Sequence, residues 1–154
     1  MVVRSLHVLV LVAGCSTSPE APLSSATLSV NPAAHSARAQ PGYVSYAGAS
    51  YHRWTLTFAT VEGCAGDTVA TVEVITLASS TAVPTGTIPL RADVNAVTGL
   101  PSAYLNYQAA PLVSGNVTID TASEGFITGS LTSQVTLAGV ATDVNGTFSS
   151  PTCP

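Results

Sequence analysis

Apolar and polar residues alternate along most of the chain after Tyr51, and the alternation is clearest in residues 126–137. Ile127, Leu131 and Val135 fall on one face of this segment, while threonine, serine and glutamine fill the other. Side chains point to opposite faces at successive positions of a strand. The pattern therefore predicts a half-buried strand of about eleven residues.

The remaining strands are shorter and are separated by glycine, proline and acidic turn signals. Residues 69–77 are apolar on both faces apart from Thr71, Glu73 and Thr76, which favours a central strand. Pro89 favours an edge position for residues 86–90. A turn is predicted at residues 138–141, with Gly146 inside the last strand although Asn145-Gly146 is also a hairpin signal. The other predicted strands are 52–60, 103–109, 115–120 and a last strand that contains Val140, Val144 and Phe148. Residues 26–30 and 36–39 show only weak strand patterns.

The spacing of these segments indicates an all-β fold. No segment of ten residues beyond the N-terminal region has the apolar period of a helix. Short strands with turn signals every 10–20 residues or so are typical of an antiparallel β-sandwich, either Ig-like or jelly-roll-like, and about seven or eight strands are expected. A chain of 154 residues has room for one such domain, which we place at residues 24–154.

The N-terminal residues have the order of an export signal. Arg4 precedes an apolar run over residues 6–13, and small residues lead to Cys15. The run is shorter than the roughly 20 residues that span a bilayer. Val12-Ala13-Gly14-Cys15 resembles the bacterial lipobox, with Val12 where that motif usually has leucine, which implies a lipid on Cys15. The alternative is a cytosolic strand that ends in Gly-Cys. We expect a signal peptide at 1–14 and a flexible tether at 15–23.

The three cysteines are consistent with this interpretation. If Cys15 carries lipid, Cys64 and Cys153 remain, and an oxidising compartment would pair them in a disulfide. The alternative is two buried free thiols. Each of the two cysteines lies in a polar stretch marked by glycine or proline, which favours the disulfide.

Composition narrows the classes of partner. The chain has no lysine, four arginines and eight acidic residues, for a net charge of −4, together with 18 serines and 20 threonines. So few cations exclude nucleic-acid binding through phosphate contacts and a polybasic membrane patch. Hydroxyl groups rather than ions must therefore supply most of the polar surface that interacts with water.

Three C-terminal motifs are similar to those of small bacterial surface lipoproteins of unknown function. They are Gly115-x-Val117-x-Ile119, Gly129-Ser130-Leu131 and Gly146-Thr147-Phe148-x-x-Pro151-x-Cys153, and the likeness covers residues 54–153. Leu131 stands where that family usually has an aromatic residue. The resemblance implies a disulfide-closed sandwich and supplies no activity.

Catalytic and metal chemistry have weak signals. Ser50 and His52 are close in sequence but lack a residue that would orient the histidine, so we interpret His52 as a surface residue. Asp93-Val94-Asn95 and Asp143-Val144-Asn145 resemble half of a calcium loop without its acidic continuation. No pattern selects a hydrolytic pair among the scattered carboxylates, which are Glu62, Asp67, Glu73, Asp120 and Glu124. We therefore predict no catalytic residues, metal or cofactor.

Aromatic residues give the single hint of recognition. Tyr43, Tyr46, Tyr51 and Trp54 lie within twelve residues, and the first three are predicted in a loop. Exposed tyrosines can stack on sugars or anchor a protein, whereas the alternative is that they pack over the end of the core.

We expect a non-enzymatic lipoprotein held in the membrane by the lipid on Cys15, with a surface-structural or protein-interaction role. Its place is the bacterial cell envelope, at the outer membrane or cell surface rather than the inner membrane, and its partner an envelope protein or a glycan. The alternative is a binding module for a glycan or small ligand that uses Tyr43, Tyr46 and Tyr51. A hydrolase is a distant third.

Overall fold

A computed structural model describes residues 24–34, 36–64, 67–92, 99–123 and 125–153. The signal peptide at 1–14, Cys15 and the tether at 15–23 lie outside these ranges, as do Asp93-Val94-Asn95 and Glu124. The described ranges contain no helix and therefore none that could cross a membrane. They form ten strands: β1 (Ser25–Leu28), β2 (Ser36–Tyr46), β3 (Ala49–Ala59), β4 (Ala70–Leu77), β5 (Gly86–Pro89), β6 (Ser102–Asn106), β7 (Leu112–Ser123), β8 (Phe126–Leu137), β9 (Val140–Asp143) and β10 (Gly146–Pro151).

The strands form two antiparallel sheets, which confirms the predicted β-sandwich. One sheet has the order β1-β10-β8-β7-β5, with β9 paired to β8, and the other has the order β2-β3-β4-β6. The central position of β4 and the edge position of β5 agree with the sequence pattern. We expected about seven or eight strands, and the difference arises partly because the predicted last strand is two strands.

The last strand divides at Val144 and Asn145. The strand β9 pairs with the end of β8, whereas β10 pairs with its beginning. Between them the Asn145 side chain accepts a hydrogen bond from the Ser133 N–H at 3.0 Å, and the Ser133 hydroxyl donates to the Val144 carbonyl at 2.6 Å. These bonds satisfy Ser133 where the ladder is interrupted, so the chain crosses from one pairing to the other without an unpaired amide.

Gly146 belongs to a strand as predicted, as the first residue of β10, and the neighbouring strand explains why glycine stands there. A Cβ atom at this position would lie 2.2 Å from the Thr27 carbonyl oxygen. The turn before it is at Ala138-Gly139, where both residues have positive φ (49° and 82°). A two-residue hairpin requires that conformation, and the turn lies within the predicted range 138–141.

The hydrophobic core lies between the two sheets. Ile127, Leu131 and Val135 of β8 are each 1% exposed, as the alternation predicts. Phe58 of β3 meets Phe148 of β10 across the core, with ring centroids 5.9 Å apart and planes at 87°. This edge-to-face geometry is favourable for aromatic pairs and fixes one sheet against the other.

Both open sides of the sandwich are closed by short links between the sheets. Parallel bridges join Ala39 to Thr152 on one side and Leu90 to Ala103 on the other. Cys153 then donates its N–H to the Ala39 carbonyl at 2.6 Å and forms the predicted disulfide with Cys64. The segment after β10 is thereby bound to the loop after β3, which confirms the pairing.

Candidate functional site

The three predicted tyrosines lie on a β-hairpin and not in a loop. Tyr43 and Tyr46 belong to β2, and Tyr51 is the third residue of β3. Ala47-Gly48 forms the turn between the two strands. The two strands pair without a register shift, with Tyr43 opposite His52 and Val44 opposite Tyr51. The predicted loop was wrong because pairing with β3 across the hairpin makes a strand of a segment in which Pro41 and Gly42 are typical of turns.

The hairpin separates the tyrosines onto opposite faces. Tyr43 shares the inner face with His52 and Trp54, because opposite residues and alternate residues of a sheet point the same way. Its ring contacts the His52 ring at 5.1 Å, and His52 contacts Trp54 at 5.6 Å. Tyr46 and Tyr51 lie on the outer face, 6.1 Å apart. The structure thus brings together two of the three predicted residues.

His52 is buried and not at the surface, which corrects the sequence interpretation. It is 4% exposed between Tyr43 and Trp54, and its Nδ1 has no hydrogen-bond partner among the described residues. Ser50 makes no described hydrogen bond to it. This arrangement is an aromatic stack at the end of the core, without the contact that would activate a serine.

The outer face of the four-stranded sheet collects the aromatic and charged residues. The register places Arg53 and Tyr51 of β3, Glu73 of β4 and Tyr104 of β6 on this side together with Tyr46. We call these five residues the tyrosine–arginine face. Sequence reasoning found Tyr46 and Tyr51 and missed the rest, because Glu73 and Tyr104 become neighbours only through strand pairing.

An ion pair lies at the centre of this face. The Arg53 Nη1 and Glu73 Oε1 atoms are 3.4 Å apart, and both side chains are about one-third exposed (35% and 28%). Partial burial raises the pKa of the Tyr46 hydroxyl, and the negative charge of Glu73 raises it further. The Tyr46 hydroxyl therefore stays protonated, and able to donate a hydrogen bond, to a higher pH than a free tyrosine hydroxyl.

Two cavities adjoin the tyrosine–arginine face. One is a groove of about 540 Å³ in which Tyr51 and Leu77 face Leu100 and Pro101. Leu77 is 60% exposed, so the groove has an apolar, accessible wall. The other is a cavity of about 580 Å³ beside β6, to which Glu73 and Tyr104 contribute. Both volumes lie in the range of small-ligand pockets.

The opposite sheet presents a different surface. Its register aligns five hydroxyl side chains in one row across five strands, which we call the hydroxyl row: Thr27, Thr147, Ser130, Thr118 and Thr87. The Thr27 and Thr147 hydroxyls are 3.0 Å apart, and those of Thr87 and Thr118 are 3.1 Å apart. These threonines hydrogen-bond to one another across the strands, as cross-strand threonine pairs do.

Asp143 and Asn145, which the sequence suggested as half of a calcium loop, have structural partners. Asp143 accepts a hydrogen bond from the Gln134 amide at 3.0 Å, and Asn145 is held by Ser133. Within the described ranges no three histidine, cysteine or acidic side chains gather as metal ligands do. Glu62 and Asp120 are exposed.

Asp67 stabilises the loop that carries Cys64. It accepts hydrogen bonds from the Thr60 N–H at 3.3 Å and from the Thr60 hydroxyl. The hydroxyl bond is the largest cause that lowers the pKa of the Asp67 carboxyl. A lowered folded pKa stabilises the fold above the unfolded pKa, and this contribution is lost as the pH falls through the folded value.

Comparison with protein-family models, with curated proteins and with solved structures finds no match to this chain. The likeness to small surface lipoproteins therefore depends on the motifs in the sequence itself.

Proposed function

We propose that this protein is an exported, lipid-anchored and non-enzymatic protein of the bacterial cell envelope that binds a partner through the tyrosine–arginine face. The observation that carries the proposal is the contrast between the two outer surfaces of the sandwich. Tyrosine and arginine are the residues that most often dominate binding energy at interfaces, whereas serine and threonine are under-represented there. The hydroxyl row is accordingly the solvated, structural side.

The disulfide supports export. Cys64 is exposed and is bonded to Cys153, and such bonds persist in oxidising compartments rather than in the bacterial cytosol. The pairing also leaves Cys15 as the single cysteine without a thiol partner, which agrees with its assignment as the lipid-bearing residue.

The ligand-binding alternative is favoured by one specific observation. Tyr51 lines the 540 Å³ groove, and Tyr46 lies beside it with ring centroids 6.1 Å apart. A pair of tilted, half-exposed tyrosines at an apolar groove is suited to stack on a sugar ring or a planar small molecule. In this alternative the protein binds a glycan or small ligand through Tyr46 and Tyr51, and Tyr43 does not contribute.

Capture from solubilised cell envelopes tests the binding proposal. The full chain, immobilised in mild detergent, should retain a partner that the Tyr46→Ala/Tyr51→Ala variant loses. Tyr43→Ala is the matched control, because it removes an exposed tyrosine from the same hairpin on the opposite face. A partner that is lost equally with both variants, or with neither, would contradict the assignment of the face.

A separate prediction concerns the anchor. Cys15→Ser should abolish incorporation of labelled fatty acid and move the protein from the detergent phase to the aqueous phase. Stable attachment needs more than one acyl chain, so loss of the acylated cysteine should release the protein completely. Equal labelling of wild type and variant would show that Cys15 is not the acylated residue.

A further inference from the structure

The outer edge of β2 is covered by other parts of the chain along its first half. β2 is the outermost strand of its sheet, so it has backbone groups that point away from β3. At Ala37 these groups bond to the Ser24 hydroxyl, at 2.8 Å for the N–H and 2.6 Å for the carbonyl. At Ala39 the carbonyl accepts the Cys153 N–H at 2.6 Å. The strand then continues to Tyr46.

Tyr43 and Ser45 carry the free backbone groups of the second half. Residues of an antiparallel strand alternate between bonding to the neighbouring strand and pointing away from it, so Tyr43 and Ser45 share the outward direction of Ala37 and Ala39. Pro41 lies in the same series, where its missing N–H costs no bond to β3. No described residue bonds to the outward groups of Tyr43 and Ser45, and both residues are exposed. Two N–H donors and two carbonyl acceptors are therefore open to a further strand.

This stretch has little of the protection that edge strands usually carry. Natural edges are kept short, bulged or charged. The strand β2 pairs with β3 without a register shift, and residues 40–46 contain no charged side chain. The other edge strands of the described ranges, β1, β5, β6 and β9, have four or five residues each. Pro41 alone protects the second half of β2, and it lies near the beginning of that half.

We propose that this open edge pairs antiparallel with the same segment of a second copy of the chain, which joins two four-stranded sheets across a two-fold axis. With the axis at Val44, Tyr43 of each copy lies opposite Ser45 of the other, and every open N–H and carbonyl is bonded. An axis at Tyr43 would set Ser45 opposite Pro41, which has no N–H to donate. Each copy has one such edge, so the pairing closes as a dimer. The inference goes beyond the proposed function and does not rest on it.

The side chains on the outer face are complementary in this register. Tyr46 of one copy lies opposite Gly42 of the other, where no side chain fills the space. The Arg53 guanidinium lies beside Gly42, with Nη2 and Nε at 3.8 and 3.9 Å from the position that a Cβ would take. Its side chain is 35% exposed, so the Tyr46 ring can cover the glycine and stack on the guanidinium. The symmetry makes this contact twice.

Oxidative crosslinking in whole cells that make the full chain tests the dimer. Val44→Cys places a thiol on the axis, where opposite Cβ atoms are about 4.5–5.5 Å apart, so mild oxidation should give a covalent dimer that a reductant reverses. Val140→Cys is the matched control, because it changes an exposed valine on an edge strand of the other sheet. Absence of the Val44 dimer, or an equal yield from Val140→Cys, would overturn the proposal. A covalent product with a different protein in place of the dimer would assign the edge to that partner and equally overturn it.

Ser45→Pro, added to Val44→Cys, tests whether the backbone edge makes the contact. It removes an N–H that points away from β3, so each dimer loses two of its backbone hydrogen bonds while the hairpin keeps its own. The initial rate of covalent dimer formation should fall about tenfold, and the thermal midpoint of the reduced protein should not change. An unchanged rate would refute the strand pairing. A lower midpoint would show that this N–H is bonded within the fold, which contradicts its outward direction.

Opposite charges at the axis provide a test without thiols. Two differently tagged wild-type copies should co-purify in mild detergent, whereas two Val44→Lys copies should not, since like charges directly opposite are destabilising. A Val44→Lys copy and a Val44→Glu copy should co-purify, which also shows that both variants fold. Recovery of neither variant combination, or equal recovery of both, would refute the axis at Val44. None of these tests measures capture of an envelope partner, so their failure would leave the capture difference between the tyrosine variants standing.

Discussion

Leu131→Ala should lower the free energy of unfolding by about 2–5 kcal/mol, the range for truncation of a buried leucine. Leu131 is 1% exposed on the inner face of β8, where it lies opposite Val117 of β7 and Gly146 of β10. Protein interiors are close-packed, so the removed methyl groups leave a cavity that neighbours fill incompletely. Chemical denaturation, with the slope compared between variants, measures the loss.

Thr132→Ala is the matched control for this prediction. Thr132 is adjacent to Leu131 but is exposed and lies opposite Asn116, so its truncation should cost less than about 1 kcal/mol. The two changes share the same strand and the same local propensity and differ in the face they alter. A loss for Thr132→Ala that equals or exceeds that of Leu131→Ala would mean that β8 is shifted by one residue.

The strand β8 could be predicted to the residue because one of its faces is buried and the other meets water. The same physics explains why β4 shows no clean alternation. Ile75 lies on the outer face, opposite Arg53, and is nevertheless fully buried. Where a strand is covered on both sides it needs apolar residues at successive positions, and Val74 and Ile75 provide them at this point of β4.

The β2–β3 hairpin could not be predicted, because the second half of β2 has no buried face. Its residues from Gln40 to Tyr46 are exposed or half-exposed, and Pro41 and Gly42 are typical of turns. The turn itself is Ala47-Gly48, with φ of 48° and 80°, in place of the usual Asn-Gly or Asp-Gly signal. Pairing with β3 determines the structure of this segment.

Most of the candidate site could not be predicted from the sequence either, because strand pairing brings its residues together. Arg53, Glu73 and Tyr104 belong to three strands that are separated by long connections, and only the register places them on one face. Tyr46 and Tyr51 could be found since they are close in sequence. The sequence grouped Tyr43 with them, whereas the hairpin places it on the opposite face, because successive residues of a strand point to opposite sides.

The Cys64→Ala/Cys153→Ala variant should lose about 4–5 kcal/mol of stability, the chain-entropy estimate for a loop of this size. The two cysteines are 89 residues apart, so the bond removes many conformations from the unfolded chain. For a domain of this length the thermal midpoint should fall by about 10 °C or more. Differential scanning calorimetry of the oxidised wild type and the double variant measures the difference.

The folded state of this variant should remain close to that of the wild type, because other contacts also hold the C-terminal segment. Cys153 donates to the Ala39 carbonyl, and the Thr152 N–H donates to the Gly125 carbonyl at 2.9 Å. Alanine is the suitable replacement since Cys153 is 1% exposed, and a buried serine hydroxyl would add its own cost. Reduced wild type should melt with the double variant, and reductant should not change the variant. Rapid alkylation of both cysteines in the native, unreduced protein would refute the bond, and equal midpoints would refute its stabilising role.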